Sequence, residues 1–245
     1  MYSIIEFMVD DVIIREIIPV DVKGGYLIDG FPYTGLANAI ATESLIKSTS
    51  QFELAGIMDS VLFPPISVVK DEVPSFPTRI LANKDLKLVI FSSYLSPHES
   101  LHRDVARAMI KWASDHKCSF IISSSTVKTD SETPSVIGAG STSEAKEKLR
   151  KAEIPILKNG TIPGIPGILL NEGMISNINV IVLLCKDRES GSDFRAGADI
   201  CKAMSKLVPG ASCDLKSLLS EAETIEQHLK QTERATGPLR DAFYG

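Results

Sequence analysis

The sequence predicts an α/β protein with three layers, in which a largely parallel central β-sheet carries helices on both faces. The first observation is that strand-length apolar runs and helical patterns alternate from residue 26 to residue 207, the order that crossover helices between parallel strands produce. The second is that the runs at residues 86–91 and 179–185 are almost continuously apolar, as strands buried on both faces are. The third is an apolar content of 44%, which is ample for a large core.

The predicted strands are apolar and β-branched runs bounded by turn residues. The opening segment, residues 3–9 and 12–18, is predicted to form one or two strands with a turn at Asp10-Asp11. The stretch 61–77 holds four prolines, so we expect only short edge strands and turns there, because proline cannot donate to a β-ladder. Residues 124–133 are polar and should form a surface loop. In chain order, the remaining strands are predicted at residues 26–29, 54–58, 86–91, 119–123, 135–139, 155–157 and 179–185.

Helices are predicted where apolar residues recur at helical spacing behind a start signal. Thr34 is a candidate N-cap for the first helix, and Ser96 precedes a first-turn proline in the second. Ser141 and Glu144 fit a capping box for the third helix. In chain order, the predicted helices span residues 33–47, 97 to about 116, 144–153, 168–170 after the Gly164–Gly167 segment, 193–207 and 215 to about 232.

The domain organisation follows from the absence of a long linker in this pattern. We expect a single α/β domain over residues 1–232, with the C-terminal helices included. Thr236-Gly237-Pro238 should break the last helix, because proline and glycine do not continue one. Residues 233–245 are therefore expected to form a flexible tail.

The bulk composition narrows the classes of partner. A net charge of −5 without a cluster of Lys and Arg argues against nucleic acid. No apolar run approaches the roughly 20 residues of a membrane span, and acidic residues interrupt the first apolar stretch, so we expect a soluble cytoplasmic protein that does not bind membranes. The four cysteines show no paired close spacing. We expect buried structural thiols rather than disulfides or a metal site, and no cofactor.

The candidate ligand loops lie at predicted strand ends, where open α/β sheets bind ligands. Gly-rich turns there can cradle phosphate through backbone N–H groups. However, no Walker or dinucleotide fingerprint is complete, and tight strand-to-helix turns need glycine in any case. Ser92-Ser93-Tyr94 and Ser123-Ser124-Ser125-Thr126 are two further candidate loops. The Gly-containing loops contribute Gly30, Phe31, Pro32, Gly35, Gly138 and Gly140.

A metal site and a catalytic site are both disfavoured by the sequence. His98-Glu99-Ser100-Leu101-His102 has the spacing of a zincin helix. It falls on the first two turns of a helix, and no third ligand follows it in the sequence, so we favour a polar helix face. The sequence contains no Gly-x-Ser-x-Gly elbow and no Cys beside a plausible base. We therefore expect no catalytic residues, while noting that sites assemble from residues distant in sequence.

The chain ends in Phe243-Tyr244-Gly245, a pattern of one hydrophobic residue, one tyrosine and one terminal residue. The aromatic pair offers apolar area, the phenol offers a hydrogen-bonding group, and the terminal carboxylate offers a fixed negative charge. This combination suits a pocket with an apolar wall and a lysine at its base. An ordinary frayed terminus is the alternative interpretation.

The order of several motifs resembles that of the archaeal proteasome assembly chaperone family, whose members are homologues of the second subunit of the eukaryotic assembly-chaperone heterodimer. The resemblance covers roughly residues 20 to 232. One difference is the segment Glu189-Ser190-Gly191-Ser192-Asp193, where relatives commonly carry a Pro-Asp-Pro-type turn. The motifs are Gly30-Phe31-Pro32-x-x-Gly35-Leu36-x-Asn38, Phe63-Pro64-Pro65, Gly164-Ile165-Pro166-Gly167, the strand to Cys185, Asp193-Phe194-Arg195-Ala196 and a Glu-rich final helix.

The resemblance implies a fold similar to that of nucleoside phosphorylases and a role at the proteasome. In that family and its functional relatives, hydrophobic-Tyr-X tails insert between adjacent α-subunits of the 20S ring, and Phe243, Tyr244 and Gly245 match the motif position by position. It implies an assembly chaperone or ATP-independent activator that is a symmetric homo-oligomer and not an enzyme. Two alternatives stay open, which are a nucleoside- or phosphate-handling enzyme and an oligomeric scaffold with an inert tail.

Overall fold

The protein is described by a computed structural model that covers residues 5–9, 11–33, 35–70, 72–127, 134–186 and 193–214, together with Leu218 and Gln231. Strands and helices alternate along most of this length, as the sequence predicts. The helices are α1 (Ala37–Ser48), α2 (His102–Asp115), α3 (Ser143–Lys151), α4 (Gly164–Ser176) and α5 (Asp193–Leu207). The strands are β1 (Ile5–Val9), β2 (Val12–Glu16), β3 (Tyr26–Gly30), β4 (Glu53–Ser60), β5 (Val68–Lys70), β6 (Val73–Ser75), β7 (Thr78–Asn83), β8 (Leu88–Ser93), β9 (Phe120–Val127), β10 (Val136–Gly140) and β11 (Val180–Lys186).

The central sheet is mixed rather than largely parallel. Within the described residues it has nine strands in the order β1-β2-β4-β7-β8-β3-β9-β11-β10. The pairs β8-β3, β3-β9 and β9-β11 are parallel, which confirms the predicted parallel centre. Both flanks are antiparallel, because β1, β2, β4, β7 and β8 pair through antiparallel neighbours and β10 runs against β11.

Three parts of the strand prediction differ from the structure. Strand β7 was not predicted, because its sequence carries Thr78, Arg79 and Asn83 among its apolar residues. Strand β9 continues to Val127 through the start of the predicted surface loop, because its serines are buried and bonded to neighbouring elements. Residues 155–157 form only one isolated bridge, between Ile156 and Gly138. The proline-rich stretch does hold short strands, the separate β5-β6 pair.

Three helix starts also differ from the prediction. Helix α1 begins at Ala37 with Leu36 as N-cap and no side-chain cap, four residues after the predicted start, and Thr34 lies outside the described residues. A 3₁₀ turn, Glu99–Leu101, precedes α2. The N-cap of α3 is Thr142 rather than Ser141, and the Thr142 hydroxyl accepts from the Ala145 N–H at 3.0 Å.

Two apolar cores confirm the three-layer arrangement. Successive strand residues alternate between them, so that Leu27 faces one core and Ile28 the other. Helices α2 and α4 cover the first core, in which Trp112 is fully buried. Helices α1, α3 and α5 cover the second core. None of the described helices is long and apolar enough to span a membrane.

One polar cluster is buried where the end of α2 meets β2. The Trp112 indole donates to the Glu16 carboxylate at 2.7 Å, and the His116 ring stacks on the indole and lies 2.9 Å from the same carboxylate. Burial lowers the pKa of His116, but the hydrogen bonds to Glu16 and the Trp112 carbonyl, with the charges of Glu16 and Asp115, raise that pKa above its ordinary value overall. A charged imidazole is therefore favoured in the folded state.

The segment after α5 is fastened to the rest of the domain. Cys201 and Cys213 form a disulfide with their Cα atoms 5.9 Å apart, so the prediction of unpaired structural thiols was wrong for this pair. The two cysteines are 12 residues apart in the sequence. No local pattern predicts their contact, because it forms only where α5 ends between them and the chain turns back. Ser212 and Asp214 also bond to Ser48 at the end of α1. Of the helix predicted at residues 215–232, only Leu218 and Gln231 are described, and both are helical.

Candidate functional site

The carboxyl ends of β3, β8 and β9 meet at one edge of the sheet. Helix α1 leaves this edge on one face and α2 on the other, which is the arrangement that opens a crevice in α/β proteins. Gly30 ends β3 and touches α1 so closely that an added Cβ would lie 2.8 Å from the Thr42 hydroxyl and 3.0 Å from the Phe91 carbonyl. Close helix–sheet packing therefore accounts for this glycine.

Asp29 is a buried carboxylate at the centre of this edge. Its two oxygens accept hydrogen bonds from the Ser123 hydroxyl at 2.6 Å, from the Phe31 N–H at 3.1 Å and from the Tyr33 phenol. Burial raises the pKa of Asp29 to about 6, and the bonds from Ser123, Tyr33 and Phe31 oppose that rise. Burial and the adjacent carboxylate raise the pKa of Tyr33 as well, so the phenol stays protonated and donates.

Asn38 ties the same edge to the first turn of α1. Its amide donates to the carbonyls of Asp29 and Phe31 at 3.0 and 2.8 Å, and its oxygen accepts from the Ser124 hydroxyl at 2.5 Å. The loop after β3 is therefore held from both sides. These contacts explain why polar residues occupy otherwise apolar strands, because a buried polar group is tolerated when it is hydrogen-bonded.

A buried ion pair lies beside this network on the α1 face. The Arg79 guanidinium contacts the Glu43 carboxylate at 2.5 Å and also bonds to Ser92 and Tyr94 at 3.0 Å. Ser92 in turn donates to Glu43 at 2.5 Å. The Arg79 and Glu43 side chains are 17% and 9% exposed, so the pair is largely shielded from solvent. This cluster locks β7 and β8 against α1.

On the α2 face, a cleft with a volume of about 780 Å³ opens between the loop after β3, the loop after β8 and the start of α4. Its floor includes the Tyr33 ring, which meets the His102 ring edge-on at 6.1 Å between centroids. Glu99 and Asn171 lie on its exposed rim. The remaining lining residues are Ser96, Pro97, His98, Ile162, Pro163, Gly164, Gly167 and Ile168.

The hydrogen bond of the His102 ring decides which of its two nitrogens can accept a hydrogen bond at this cleft. Its Nε2 lies 3.1 Å from the Pro97 carbonyl, which can only accept, so Nε2 carries the proton. Burial lowers the pKa of His102, although the Pro97 carbonyl and Glu99 oppose this, and the neutral ring is favoured. Its Nδ1 is then an acceptor, and it lies 3.9 Å from the position a Cβ would occupy on Gly164.

The structure brings only part of the predicted ligand loops to this edge. Gly30, Phe31 and Pro32 lie there and are buried, while Gly35 is exposed with φ 81°. Gly138 and Gly140 lie elsewhere, because β10 runs antiparallel to β11 and Gly140 pairs with Ile181 near the amino end of that strand. An added Cβ on Gly138 would lie 2.5 Å from the Leu149 side chain, so these glycines serve the packing of α3.

The other predicted site residues have separate outcomes. His98 precedes the 3₁₀ turn and its ring accepts from the Ser100 N–H, so it does not share a regular α-helix with His102. Among the described residues, no group of three or more His, Cys, Asp or Glu side chains could hold a metal. Phe243, Tyr244 and Gly245 lie outside the described residues.

The sequence analysis did not predict the hydrogen-bond network around Asp29, the Glu43–Arg79 ion pair or the acceptor nitrogen Nδ1 of His102. A signal was present for the first, since Asp29 and the serines of β9 are polar residues inside apolar strands, and buried polar residues need partners. The partners themselves are 94 residues apart for Ser123 and Asp29 and 36 apart for Arg79 and Glu43, which no local pattern encodes.

The fold defines a class of α/β proteins that has been seen before in solved structures. The solved structure of PbaA from Pyrococcus furiosus, described as an archaeal homolog of proteasome-assembly chaperone, superposes with a TM-score of 0.77 and 26% identity, over 93% of this chain and 99% of that one. PbaB from the same organism, described as an archaeal proteasome activator, matches with a TM-score of 0.67 and 21% identity over 91% and 99%, which shows the fold alone.

The chain belongs to the PAC2 family, whose model matches residues 27–233. An uncharacterised protein of Methanocaldococcus jannaschii is 26% identical over 229 residues, which is 91% of this chain and 92% of that protein. The expected family is thereby confirmed. The matched region includes Asp29 with its hydrogen-bond partners, the Glu43–Arg79 ion pair and every residue that lines the cleft.

Proposed function

We propose that this protein is a proteasome-binding assembly chaperone or ATP-independent activator. The observation that carries the proposal is the similarity to PbaA, at 26% identity over 93% of this chain, because PbaA is described as a homolog of a proteasome-assembly chaperone. The match to PbaB, described as a proteasome activator, agrees with it at the level of the fold. The partner would be the α-subunits of the 20S particle, and the cytoplasm would be the site of action.

The contact would be made by Phe243, Tyr244 and Gly245, the last three residues of the sequence. Burying the two aromatic side chains in a pocket between α-subunits would contribute about 2 kcal/mol each before ordering costs. A pocket lysine would pair with the Gly245 carboxylate, and such a charge-assisted bond is stronger than a neutral one. One tail would bind weakly on these terms.

Several tails on one symmetric homo-oligomer would overcome this weakness. If neighbouring pockets are engaged together, avidity rises by about 10²–10⁴. The proposal therefore includes a homo-oligomer of this chain. Multi-angle light scattering at micromolar concentration checks it, and a purely monomeric species would argue strongly against it.

The tail is tested by pull-down of archaeal 20S particles or α-rings. We expect binding by the full chain and loss of binding when residues 243–245 are removed. Tyr244→Ala should bind less than Tyr244→Phe, which keeps the ring and loses only the phenol. A peptide of residues 233–245 should compete with a free carboxylate and not as its amide. Equal binding by full and truncated chains would remove the tail from the mechanism.

Peptide hydrolysis by the 20S core distinguishes the two roles. Stimulation by added protein indicates an activator, and an unchanged rate with retained binding indicates an assembly factor. The truncated chain is the matched control, since it keeps residues 1–242. An unchanged rate together with absent binding would contradict both roles.

The enzyme alternative has mixed support at the cleft. His102 and Glu99 are the type of residue that handles protons, and Tyr33 adds an aromatic floor. Prolines and isoleucines line the rest of it, and among its described lining residues none is Lys or Arg, which phosphate handling would favour. We therefore favour the proteasome role over the role of a phosphate-handling enzyme. Phosphorolysis of nucleosides by the purified protein would reverse that order.

A further inference from the structure

The connection between β4 and β7, residues 61–76, concentrates exposed apolar side chains. Five of the nine large apolar residues that are exposed in the described part of the chain fall within it. Val61 is 85% exposed, Val69 62%, Val73 63% and Phe76 51%. Apolar residues scattered singly over a surface need no explanation, but a concentration of them marks an interaction site.

These side chains belong to one small region of the surface. The connection leaves the central sheet and returns to it at one place, because the Thr78 hydroxyl donates a hydrogen bond to the Met58 carbonyl. Val61 and Phe76 are each within three residues of that bond, so both lie at the base of the connection. The β5-β6 hairpin projects between them, and its three residues per strand make it only about 10 Å long.

The hairpin is apolar on both of its faces. Val68 is buried, with 8% of its surface exposed. Val69 points to the opposite face, because successive side chains of a strand alternate, and the exposed Pro74 lies directly across from it in the ladder. An antiparallel pair with one face in water ordinarily carries polar residues on that face. The outer face, defined by Val69 and Pro74, therefore has the character of a surface that is covered.

The charges of the connection are confined to the turn of the hairpin. Lys70, Asp71 and Glu72 are the only charged residues between positions 61 and 76. Charged residues are depleted from the centres of interfaces and common at their rims. Two identical outer faces can therefore meet without placing like charges opposite each other, provided that the two turns lie at opposite rims. The face is compatible with a copy of itself.

The exposed apolar area is what a homodimer interface requires. The four residues named first, together with the exposed Pro65 and Pro74, present roughly 500 Å² of surface. A standard interface removes about 800 Å² from each partner, and about 65% of that is apolar in homodimers. A two-stranded hairpin is also only marginally stable until another element packs on it. One further hairpin of the same kind supplies both the area and the cover.

We propose that the outer face of the β5-β6 hairpin packs against the same face of a second copy of this chain, about a two-fold axis. Such an axis is the commonest symmetry of homo-oligomers, and it brings each residue of the patch close to its own counterpart. Val69 then lies near Val69 of the second copy. This interface rests on the homo-oligomer of the proposed function and gives that oligomer a surface.

A charge-swap experiment on the full chain tests this arrangement by multi-angle light scattering. Val69→Glu and Val69→Lys are measured alone and as an equimolar mixture. We expect the unmodified chain to have an even number of subunits, and each variant alone to dissociate to half that number, with a dissociation constant raised at least about 100-fold by the facing like charges. The mixture should reassociate, because opposite charges then face each other.

Reassociation separates a lost interface from a lost fold, since two misfolded variants would not restore each other. Val69 is largely exposed within the single chain, so both variants should keep the far-ultraviolet circular dichroism of the unmodified protein. Ile175→Glu is the matched control, because Ile175 is 76% exposed and lies on α4, outside the hairpin. It should leave the subunit number unchanged.

A monomeric unmodified chain overturns the proposal, including the case in which cosedimentation with phosphatidylcholine vesicles shows that the hairpin binds a membrane instead. An odd subunit number, a mixture that does not reassociate, or dissociation by Ile175→Glu also overturns it. An oligomer that survives both Val69 substitutions removes this surface and leaves the homo-oligomer of the proposed function in place. The two failures are therefore distinguishable, and neither measurement uses the 20S particle.

Discussion

The buried Asp29 carboxyl should make the domain less stable as pH rises. A folded-state pKa of about 6 against an ordinary value of 3.8 means that the folded protein binds the proton more tightly than the unfolded chain. This contribution to stability is fully present only at pH values below the unfolded pKa of 3.8 and is lost as pH rises through 6. The two pKa values correspond to roughly 1 kcal/mol of stability between pH 8 and pH 5, and roughly 2 kcal/mol between pH 8 and pH 4.

Asp29→Asn removes this titration while keeping the shape of the side chain. The amide oxygen can still accept from the Phe31 N–H, and the amide nitrogen turns towards Ser123. Urea unfolding at pH 8, 6.5 and 5 measures the free energy of unfolding of both proteins. We expect the unmodified chain to gain roughly 1 kcal/mol relative to the variant from pH 8 to pH 5. Asp11→Asn, in the exposed β1-β2 turn, is the control, and parallel pH profiles for the unmodified chain and Asp29→Asn would refute the reasoning.

Three further predictions concern stability. Because Glu16 and its neighbours raise the pKa of His116, the stability lost in His116→Gln should be largest below pH 6.5 and shrink as pH rises above it; a constant difference in urea unfolding would contradict this. Glu43→Gln should cost about 3 kcal/mol, because it leaves the Arg79 charge buried, and adding Arg79→Met should recover part of that loss in a double-mutant cycle. Removing the disulfide with Cys213→Ser should cost about 3 kcal/mol in thermal unfolding, and reductant should lower only the unmodified chain to the same level.

The local sequence pattern was sufficient to predict the strands at the centre of the sheet. Strand β11 and the first parts of β8 and β9 are apolar because both their faces are covered, so these runs alone predict buried strands at the centre of the sheet. Strand β7 could not be found in this way, since the Arg79 that breaks its apolar pattern is there to meet Glu43 on a helix 36 residues away. The antiparallel flanks also follow from pairings between distant segments. No periodicity in one segment contains that information.

The sequence predicted where the candidate site lies but not which side chains form it. Open α/β sheets bind ligands beyond the carboxyl ends of their strands, and this rule led to Gly30, Phe31 and Pro32. The same rule misplaced Gly138 and Gly140, because it assumes a parallel strand and β10 is antiparallel. The polar residues Glu99 and Asn171, which line the cleft, are exposed residues at a helix start and on a helix, and they carry no local signal.

Ser212 and Asp214 contact Ser48 at the end of α1, away from the strand ends that border the cleft. Helix α1 starts at the strand ends that border the cleft and finishes at the opposite end of the sheet, so Ser212 and Asp214 lie at that opposite end. Leu218 is buried in the core that α1 and α5 share, on the side of the sheet away from α2 and α4. Substitutions in the cleft and substitutions beside Ser48 should therefore contribute independently to the free energy of unfolding, because the two places are distant from each other.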